Sequence, residues 1–395
     1  MKPRGELSGR EVDDLITSLA QRLGDTTVPS LPQVAIKIID LVGNPNSTIK
    51  QFAEVISGDQ ALTGRLLRMA NSAAFAQRKS VTSVERAMVL LGLERLKALA
   101  LGFHLSKAAA TDDSAIGFRS MWTQSLYRGC VAMKIAEKIN KSCSGEAFVI
   151  GFMSDAGVPS MPALVGDDYP GDEAVVSHPT KLHAQERATY QCTHVDVILA
   201  LCKIWKLPER LTKPIGNHHT RPSACNVRDD MSLLNSIGYF VGNLPLTPDG
   251  QIEQVTTTSR DAQRLFEFDT ANLQAILSEA GTDFEAFRTL FGDLIDPSMT
   301  IDQILEDANA QIVDTDTVPE DGEATTMQAG GMTLRIAQHG AGHVSVAVSQ
   351  NGEDLISEQL TPDATDETIR TALLLDEATP EELASVRALI VKLAA

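Results

Sequence analysis

The chain has 395 residues, which exceeds the usual size of one domain and predicts two or three folding units. Its formal net charge of −18 at pH 7 argues against a general binder of nucleic acids or of anionic membranes. The five cysteines include no CxxC pair, so the sequence predicts neither a disulfide framework nor a cysteine zinc site. The first residues lack the apolar segment of a signal peptide, and no run of about 18 uncharged apolar residues occurs. We therefore expect a soluble cytoplasmic protein that does not engage a membrane.

The first predicted elements are short amphipathic helices. Leu15, Leu19 and Leu23 recur every four residues, which predicts a flanking helix within residues 1–27. The main domain is predicted to begin at residue 28. Within it, Thr48-x-x-Gln51 has the form of a capping box and predicts the start of another helix.

Residues 59–103 carry the most specific pattern of the chain, DQALTGRLLRMANSAAFAQRKSVTSVERAMVLLGLERLKALALGF. Leu62, Leu66 and Met69 fall on one face of a helix. A second apolar helical pattern follows after a polar turn. The pattern predicts a buried pair of helices.

Two signals divide the second half of this segment. Thr82-x-x-Glu85 has the form of a capping box, and Gly92 provides a natural break before a further helix. With these features the segment resembles the opening half of an HDOD domain, an all-helical regulatory module related to the HD phosphohydrolases. The resemblance covers residues 28–243 and implies a mainly α chain with an HD-like all-helical domain.

The rest of the chain is predicted to be helical at first and then to change character. Residues 158–183 form a Pro-, Gly- and Asp-rich stretch typical of functional loops, and residues 244–312 are predicted to be a helical extension. Residues 313–331 are acidic, small and polar, as expected of a linker. Period-two alternation and the hairpin signal Asn351-Gly352 then predict three strands, which with a last helix form a small α+β domain over residues 332–395.

The resemblance also indicates where a metal site would have to lie. HD phosphohydrolases use a histidine, an adjacent His-Asp pair and a later aspartate, and the corresponding positions here hold Gln124, Ser154-Asp155 and Asn235. Glutamine, serine and asparagine offer neither an imidazole nitrogen nor a charged oxygen, so only Asp155 retains a ligand. Because one carboxylate cannot hold a catalytic ion alone, we expect no catalytic residue, no metal ion, no cofactor and no enzymatic activity.

Three histidines occur where related domains also carry them, namely His194, His218 and His219. Together with Asp155 they are the candidate ligand-binding residues, a vestigial polar pocket for an anion, a nucleotide or an adventitious metal ion. We expect at most one of the adjacent residues His218 and His219 to contact a shared ion. The alternative is structural, because imidazole near a helix end is favoured by the helix dipole or bonds to terminal carbonyls.

Charge is distributed unevenly along the sequence. Residues 61–107 hold eight basic and two acidic side chains, a net +6, whereas residues 311–395 hold four basic and fifteen acidic ones, a net −11. The candidate partner-binding residues of the basic face are Arg65, Arg68, Arg78, Lys79, Arg95 and Lys97. An ordinary solvated helix face is the alternative interpretation. If the face docks a partner, the acidic C-terminal region is expected to cover it in an intramolecular contact.

Two functions from different classes remain open at this point. The resemblance implies a non-catalytic bacterial signal-transduction module that binds signalling proteins or small ligands, including partners linked to cyclic dinucleotides. The alternative is a metal-dependent phosphohydrolase of nucleotides or cyclic dinucleotides whose ligands are recruited from elsewhere, such as His104, His178, His183 or Asp167-Asp168. Nucleic acid is the least expected partner, because aromatic residues make up 5% of the chain and offer few stacking surfaces.

Overall fold

A computed structural model of the chain contains mainly helices, as the sequence predicts, together with a small antiparallel sheet near the C-terminus. The structure describes residues 4–26, 31–42, 47–72, 75, 80–109, 118–166, 169–170, 179–222, 229–244, 255–296, 298, 325–338, 344–350, 353–362, 364–373, 375 and 378–394. These residues divide into two compact units. Of the described residues, the first unit contains those up to 244 together with 262–298. The second unit contains residues 255–261 and the β-rich C-terminal residues.

Helices make up all the regular structure before the sheet among the described residues. In chain order they are α1 (Gly9–Thr26), α2 (Gln33–Val42), α3 (Ile49–Ser57), α4 (Gln60–Ala70), α5 (Val84–Leu91), α6 (Leu93–Ala109), α7 (Arg119–Ile139), α8 (Ser144–Met153), α9 (Met161–Val165), α10 (Pro179–Thr189), α11 (His194–Ile204), α12 (Glu209–Gly216), α13 (Asp230–Gly242), α14 (Val255–Phe266) and α15 (Thr270–Phe291). Short 3-10 turns lie at Arg4–Glu6, Lys141–Cys143 and Val158–Ser160.

The helix starts follow the capping signals of the sequence, with one correction. Thr48 and Gln51 form the predicted capping box at α3, each satisfying a backbone N–H of the other. The second predicted box is displaced by one residue. Ser83 caps α5 and accepts a hydrogen bond from the Arg86 N–H, so the prediction of Thr82 as the cap is wrong. Ser83 has the extended backbone that a helix cap requires, and its hydroxyl reaches the backbone N–H of Arg86, three residues later.

The core of the helical unit surrounds α7, which packs against α8, α13 and α15. An aromatic cluster fills the centre, with ring centroids of Phe152 and Phe291 4.7 Å apart. Trp122 and Phe148 also belong to it and are fully buried. Burying one such side chain contributes about 1.5–3 kcal/mol. Since Phe291 comes from α15, the predicted helical extension supplies part of the core.

The helical unit contains one long apolar stretch. Among the described residues, Lys141–Val165 is long and apolar enough to pass a composition test for a membrane-spanning helix. However, 72% of its most apolar window is buried inside the protein. Its composition is therefore that of a core helix, because α8 packs against both α6 and α7.

The C-terminal unit is a four-stranded antiparallel sheet covered by helices. Its elements are β1 (Thr325–Ala329), β2 (Met332–Gln338), β3 (Val344–Gln350), β4 (Glu353–Leu360), α16 (Asp366–Ala372) and α17 (Pro380–Ala394), and the strands are neighbours in the order β1-β2-β3-β4. Alternate residues such as Leu334 and Ile336 point into one core with Val386 and Ile390 of α17. The sequence predicted this α+β character, the last three strands and the final helix.

The first strand lies inside the stretch predicted to be a linker. β1 pairs with β2 through a tight hairpin in which Gly330 and Gly331 have φ of 56° and 73°. Such positive φ values at successive residues are typical of a two-residue turn and favour glycine. The composition of residues 325–331 is polar, so the prediction missed the strand. Residues 313–324 and the predicted turn residues Asn351-Gly352 lie outside the described residues.

Candidate functional site

Four side chains from distant parts of the sequence meet at one point in the helical unit. One ligand atom from each of Asp155, His194, His218 and His219 lies within 4.8 Å of the other three. The Nε2 atom of His194 is 3.2 Å from both the His218 Nε2 and the His219 Nε2 atoms. The Asp155 Oδ1 atom lies 3.8 Å from the His194 Nε2 atom and 3.6 Å from the His218 Nε2 atom. We call these four residues the His-Asp cluster.

Helix ends bring the cluster together. Asp155 follows the end of α8, and His194 is the first residue of α11, where Thr193 and Asp196 form a capping box. His218 and His219 follow the end of α12. Because backbone hydrogen bonding is incomplete at helix ends, the chain can turn there and direct successive side chains inward.

The second nitrogen of each imidazole contacts a hydrogen-bond acceptor. The Nδ1 atom of His194 lies 2.6 Å from a carboxylate oxygen of Glu186, and that of His218 lies 2.6 Å from the Ile215 carbonyl oxygen. The Nδ1 atom of His219 lies 3.2 Å from the Asn243 side-chain oxygen. Since all three partners accept, each Nδ1 carries a proton and donates it. The neutral form of each ring then presents an unprotonated Nε2 atom to the cluster.

This arrangement fits a metal ion. Two unprotonated nitrogens 3.2 Å apart cannot hydrogen-bond to each other, and their lone pairs repel. A tetrahedral ion with Zn–N bonds of about 2.0–2.1 Å would place its ligand nitrogens about 3.3 Å apart. Imidazole and carboxylate are ordinary ligands for Zn²⁺, and bonds from Nδ1–H to carboxylate or carbonyl oxygens are typical of metal-binding histidines. The His-Asp cluster could therefore hold one divalent ion.

The same geometry bears on the adjacent histidines. His218 is fully buried and His219 is partly buried, and both contribute an atom to the cluster. The geometry thus allows both residues to contact a shared ion, whereas the sequence predicted at most one of them. The turn after α12 gives the two rings different orientations, with centroids 4.1 Å apart and planes tilted by 46°. The Nε2 atoms of both rings therefore lie in the cluster.

Asp155 is held by a buried arginine. The Arg128 guanidinium donates to the Asp155 Oδ2 atom over 2.6 Å and to the Leu244 carbonyl oxygen over 3.3 Å. Burial opposes ionisation of Asp155, but Arg128 and His218 outweigh burial and hold the pKa of this carboxyl below its ordinary value. Asp155 is therefore a carboxylate with one oxygen bound to Arg128 and the other directed at the imidazoles.

Glu186 and Tyr169 form the next layer around His194. One Glu186 oxygen accepts from both the backbone N–H and the Nδ1–H of His194, at 3.0 and 2.6 Å. The Tyr169 hydroxyl donates to the other oxygen over 2.6 Å. Burial lowers the pKa of His194, but Glu186, Asp155 and Asp196 together outweigh burial and raise that pKa above its ordinary value.

The sequence comparison missed four of the residues that support the site, namely Arg128, Tyr169, Glu186 and Asn243. Arg128, a charged residue inside the apolar part of α7, was an available signal, because such residues are rarely buried without a partner. Glu186 lies in the polar helix α10 and gave no such signal.

Apart from Asp155, the positions aligned with the HD ligands lie outside the His-Asp cluster. The Ser154 hydroxyl donates to the Ile150 carbonyl oxygen, and Gln124 is buried in α7. Asn235 bonds to Met231 within its own helix. None of the three belongs to the His-Asp cluster. The asparagine that contacts the site is Asn243, the residue that follows α13.

The residues proposed as recruited ligands are dispersed. The His104 ring is buried in α6 with its Nε2 atom 3.5 Å from the Asp59 carboxylate, and burial lowers its pKa. The His183 ring stacks on His219 with centroids 4.5 Å apart and planes tilted by 15°. His183 thus lies beside the cluster but is not part of it. His178 and Asp167-Asp168 lie outside the described residues.

Half of the predicted basic face is paired within the protein. Arg65 bonds to the Leu290 carbonyl oxygen and to Asp293. Arg95 pairs with Glu137 and Asp283, and Lys97 pairs with Glu94. Arg68 is exposed on α4, and Arg78 and Lys79 lie outside the described residues. The three paired side chains are stabilising contacts of the helical unit, and partner binding by the basic face stays a prediction.

A close backbone approach behind Asp155 gives a testable consequence. A Cβ atom added at Gly157 would lie 2.1 Å from the His194 carbonyl oxygen and 2.9 Å from the Ile198 nitrogen. We expect Gly157→Ala to displace the first turn of α11, to lower the free energy of unfolding by about 1–3 kcal/mol and to reduce divalent-metal binding. Urea denaturation and metal content of the purified variant check this prediction.

The control for that variant is Gly64→Ala. An added Cβ atom at Gly64 would have no neighbour within 4 Å, so this change in α4 should be neutral or stabilising by up to about 1 kcal/mol. Equal stability and equal metal content of the two variants would contradict the prediction.

Comparison with known proteins agrees with the fold. Solved structures similar to this chain include a candidate signal transduction protein from Marinobacter aquaeolei VT8, with a TM-score of 0.53 and 19% identity over 73% of this chain and 67% of that one. An HDOD domain protein of unknown function from Geobacter sulfurreducens gives a TM-score of 0.49 and 18% identity over 71% of this chain and 99% of that one.

A curated relative and a family model extend this comparison. An uncharacterized protein from Treponema pallidum (strain Nichols) is 24% identical over 229 residues, which are 56% of this chain and 43% of that protein. This chain therefore spans less than half the length of that relative. The family model of the HDOD domain matches residues 28–221, a range that contains all four residues of the His-Asp cluster. The helical fold and this match identify residues 28–221 as an HDOD domain.

Proposed function

We propose that the protein is a non-catalytic signal-transduction module whose HDOD domain binds one divalent transition-metal ion at the His-Asp cluster. The observation that carries this proposal is the convergence of three histidine Nε2 atoms and one Asp155 oxygen while each Nδ1 atom is bound to an acceptor. The proposal departs from the sequence-based expectation that the domain has no metal. That expectation counted ligands at the HD positions, whereas the cluster draws its histidines from α11 and the end of α12.

The number of ligands favours binding over hydrolysis. Structural zinc sites are closed by four protein ligands, whereas catalytic sites keep one position open for water or substrate. The cluster supplies four donors, and Asp155, His194 and His218 are buried. When bound, the ion would supply positive charge that holds together the C-terminal ends of α8 and α12 and the N-terminal end of α11. A regulatory partner would then recognise the surface that this arrangement fixes.

Signalling proteins are the proposed partners, in keeping with the family resemblance. We expect the docking surface to lie away from Arg65, Arg95 and Lys97, since those side chains are engaged internally. Arg68 remains exposed among the described members of that face. Contact of the acidic C-terminal region with the basic face stays a prediction. If this contact forms, removal of residues 311–395 should increase partner binding.

One observation favours a second candidate function. The partly exposed ring of His183 stacks on His219 and lies next to the cluster. An imidazole in this position could transfer a proton to or from a phosphoester substrate. The alternative proposal is therefore a metal-dependent phosphohydrolase in which Asp155, His194, His218 and His219 hold the ion and His183 contacts the substrate.

Metal content and turnover measured on the same sample test both proposals. Protein purified without chelators should contain about one Zn²⁺ or similar ion per chain, and Asp155→Asn should lose most of it, since removing a ligand disrupts the site. Asp40→Asn, which removes an exposed carboxylate from α2, serves as the control and should keep its metal. Absence of a stoichiometric ion, even after incubation with Zn²⁺, would refute metal binding.

The turnover arm uses bis(p-nitrophenyl) phosphate and a cyclic dinucleotide. We expect no hydrolysis by the metal-loaded protein. Hydrolysis that is lost in both Asp155→Asn and His183→Ala would establish the phosphohydrolase instead.

A further inference from the structure

A short segment near the start of the described chain contacts the elements that carry the candidate site. The Arg4 backbone N–H donates to the Tyr190 carbonyl oxygen over 2.7 Å. The Arg4 side chain makes a two-pronged contact with Asp196, with Nε to Oδ2 at 2.7 Å and a terminal nitrogen to Oδ1 at 2.8 Å. We call Arg4–Glu6 the strap, since it joins residues about 190 positions later in the sequence.

The strap contact acts on the first turn of α11. Asp196 lies two residues after His194, and its side chain is 1% exposed. One of its oxygens also accepts from the backbone N–H and the hydroxyl of Thr193, both at 2.9 Å, which completes the capping box of α11. Since His194 is the first residue of this helix, the position of its ring depends on how the first turn is held.

The strap also contacts the helix that carries Glu186. A Cβ atom at Gly5 would lie 3.2 Å from the Arg187 carbonyl oxygen, which places the strap backbone directly against the end of α10. Tyr190, the acceptor of the Arg4 N–H, follows the same helix. The strap therefore spans the junction between the element that positions Glu186 and the element that positions His194.

The charges make this contact specific. Asp196 is a buried carboxylate, and the Arg4 guanidinium forms an ion pair with it at 2.7 Å. A planar guanidinium fits a carboxylate through two parallel bonds, which a lysine cannot reproduce. Without Arg4 the Asp196 carboxylate would remain buried, and among the described residues its hydrogen bonds would be those from Thr193. The first turn of α11 would then relax to let water reach Asp196.

We propose that Arg4 and Asp196 are positioning residues for His194, and that docking of the strap and cation binding at the His-Asp cluster favour each other. This inference rests on the proposed metal binding. The two events share one structural element, the α10–α11 junction, whose ordered arrangement both require. By linkage, any gain in cation affinity from a docked strap is matched by an equal gain in strap docking when the cation binds.

The experiment compares full-length wild type with Arg4→Gln, and uses Arg10→Gln as the matched control. Arg10 is exposed on α1, so its replacement removes the same charge without touching the junction. Zn²⁺ affinity is measured by competition with a chromophoric chelator, and hydrogen exchange is measured at residues 4–7 with and without Zn²⁺. We expect Arg4→Gln to weaken Zn²⁺ binding by about tenfold, Arg10→Gln to leave it unchanged, and Zn²⁺ to slow exchange at residues 4–7 in wild type.

Further variants separate positioning from general destabilisation. Asp196→Asn should weaken Zn²⁺ binding as Arg4→Gln does, and the double variant should be no weaker than either single one, since both remove the same contact. Arg4→Lys should recover part of the affinity. Unchanged exchange of the strap on Zn²⁺ addition, or an Arg4→Gln affinity equal to wild type, would overturn the inference. Failure of wild type to bind Zn²⁺ would instead overturn the proposed function.

Discussion

Replacing Arg128 with methionine is expected to lower the free energy of unfolding of the metal-free protein by about 3–5 kcal/mol. Both members of the Arg128–Asp155 pair are nearly inaccessible to water, with side chains 2% and 6% exposed. Removing the guanidinium leaves a buried carboxylate without a counter-charge, and it also frees the Leu244 carbonyl oxygen. Urea denaturation in the presence of a chelator measures the change.

Two further variants show whether the loss comes from the unpaired charge. Arg128→Met combined with Asp155→Leu removes both charges and should recover most of the stability, since replacing a buried pair by apolar residues is often neutral. Arg68→Met changes an exposed arginine and should shift stability by less than about 0.5 kcal/mol. A double variant that is as unstable as Arg128→Met would show that packing of the arginine side chain, rather than charge, is responsible.

Replacing Glu186 with glutamine is expected to weaken Zn²⁺ binding about 10–100-fold while the four ligands stay in place. Glu186 is completely buried, and one of its oxygens accepts both N–H groups of His194. A neutral amide accepts these bonds less strongly and can present its NH₂ group instead, which would turn the His194 ring away from the cluster. Competition with a chromophoric chelator measures the affinity.

Two further variants test whether the loss of Zn²⁺ affinity is specific to Glu186. Tyr169→Phe removes only the hydroxyl that donates to the other Glu186 oxygen, and we expect a smaller loss of affinity. Glu85→Gln makes the same chemical change at an exposed position of α5 and should have no effect. Equal Zn²⁺ affinities for Glu186→Gln and Glu85→Gln would show that Glu186 does not orient His194.

The helical unit illustrates which features local sequence can predict. Leu62, Leu66 and Met69 recur at helical spacing, and all three are buried on one face of α4. Gly92 ends α5 with a positive φ of 86°, as the sequence indicates. These features depend on residues within one or two turns of each other, so a pattern along the chain is sufficient to predict them.

The candidate site illustrates the opposite case. Asp155 was identified through the HD alignment, but the role of Glu186 depends on a contact with His194 that follows α10. Arg4 contacts Asp196 across 192 positions, and no periodicity connects them. The strand β1 was missed for a related reason, because a polar segment such as Thr325–Ala329 becomes a strand through pairing with β2 rather than through its own propensity.

The sequence by itself determined that the chain is mainly helical, that residues 28–243 resemble an HDOD domain, that a small α+β unit follows, and which four residues were candidates for the site. These properties follow from local periodicity, turn chemistry and motif spacing. Only the tertiary structure decided that the four side chains converge, that both adjacent histidines take part, and that Arg65, Arg95 and Lys97 are paired internally. The reason is physical, since the direction of a side chain at a helix end is set by the helices packed around it.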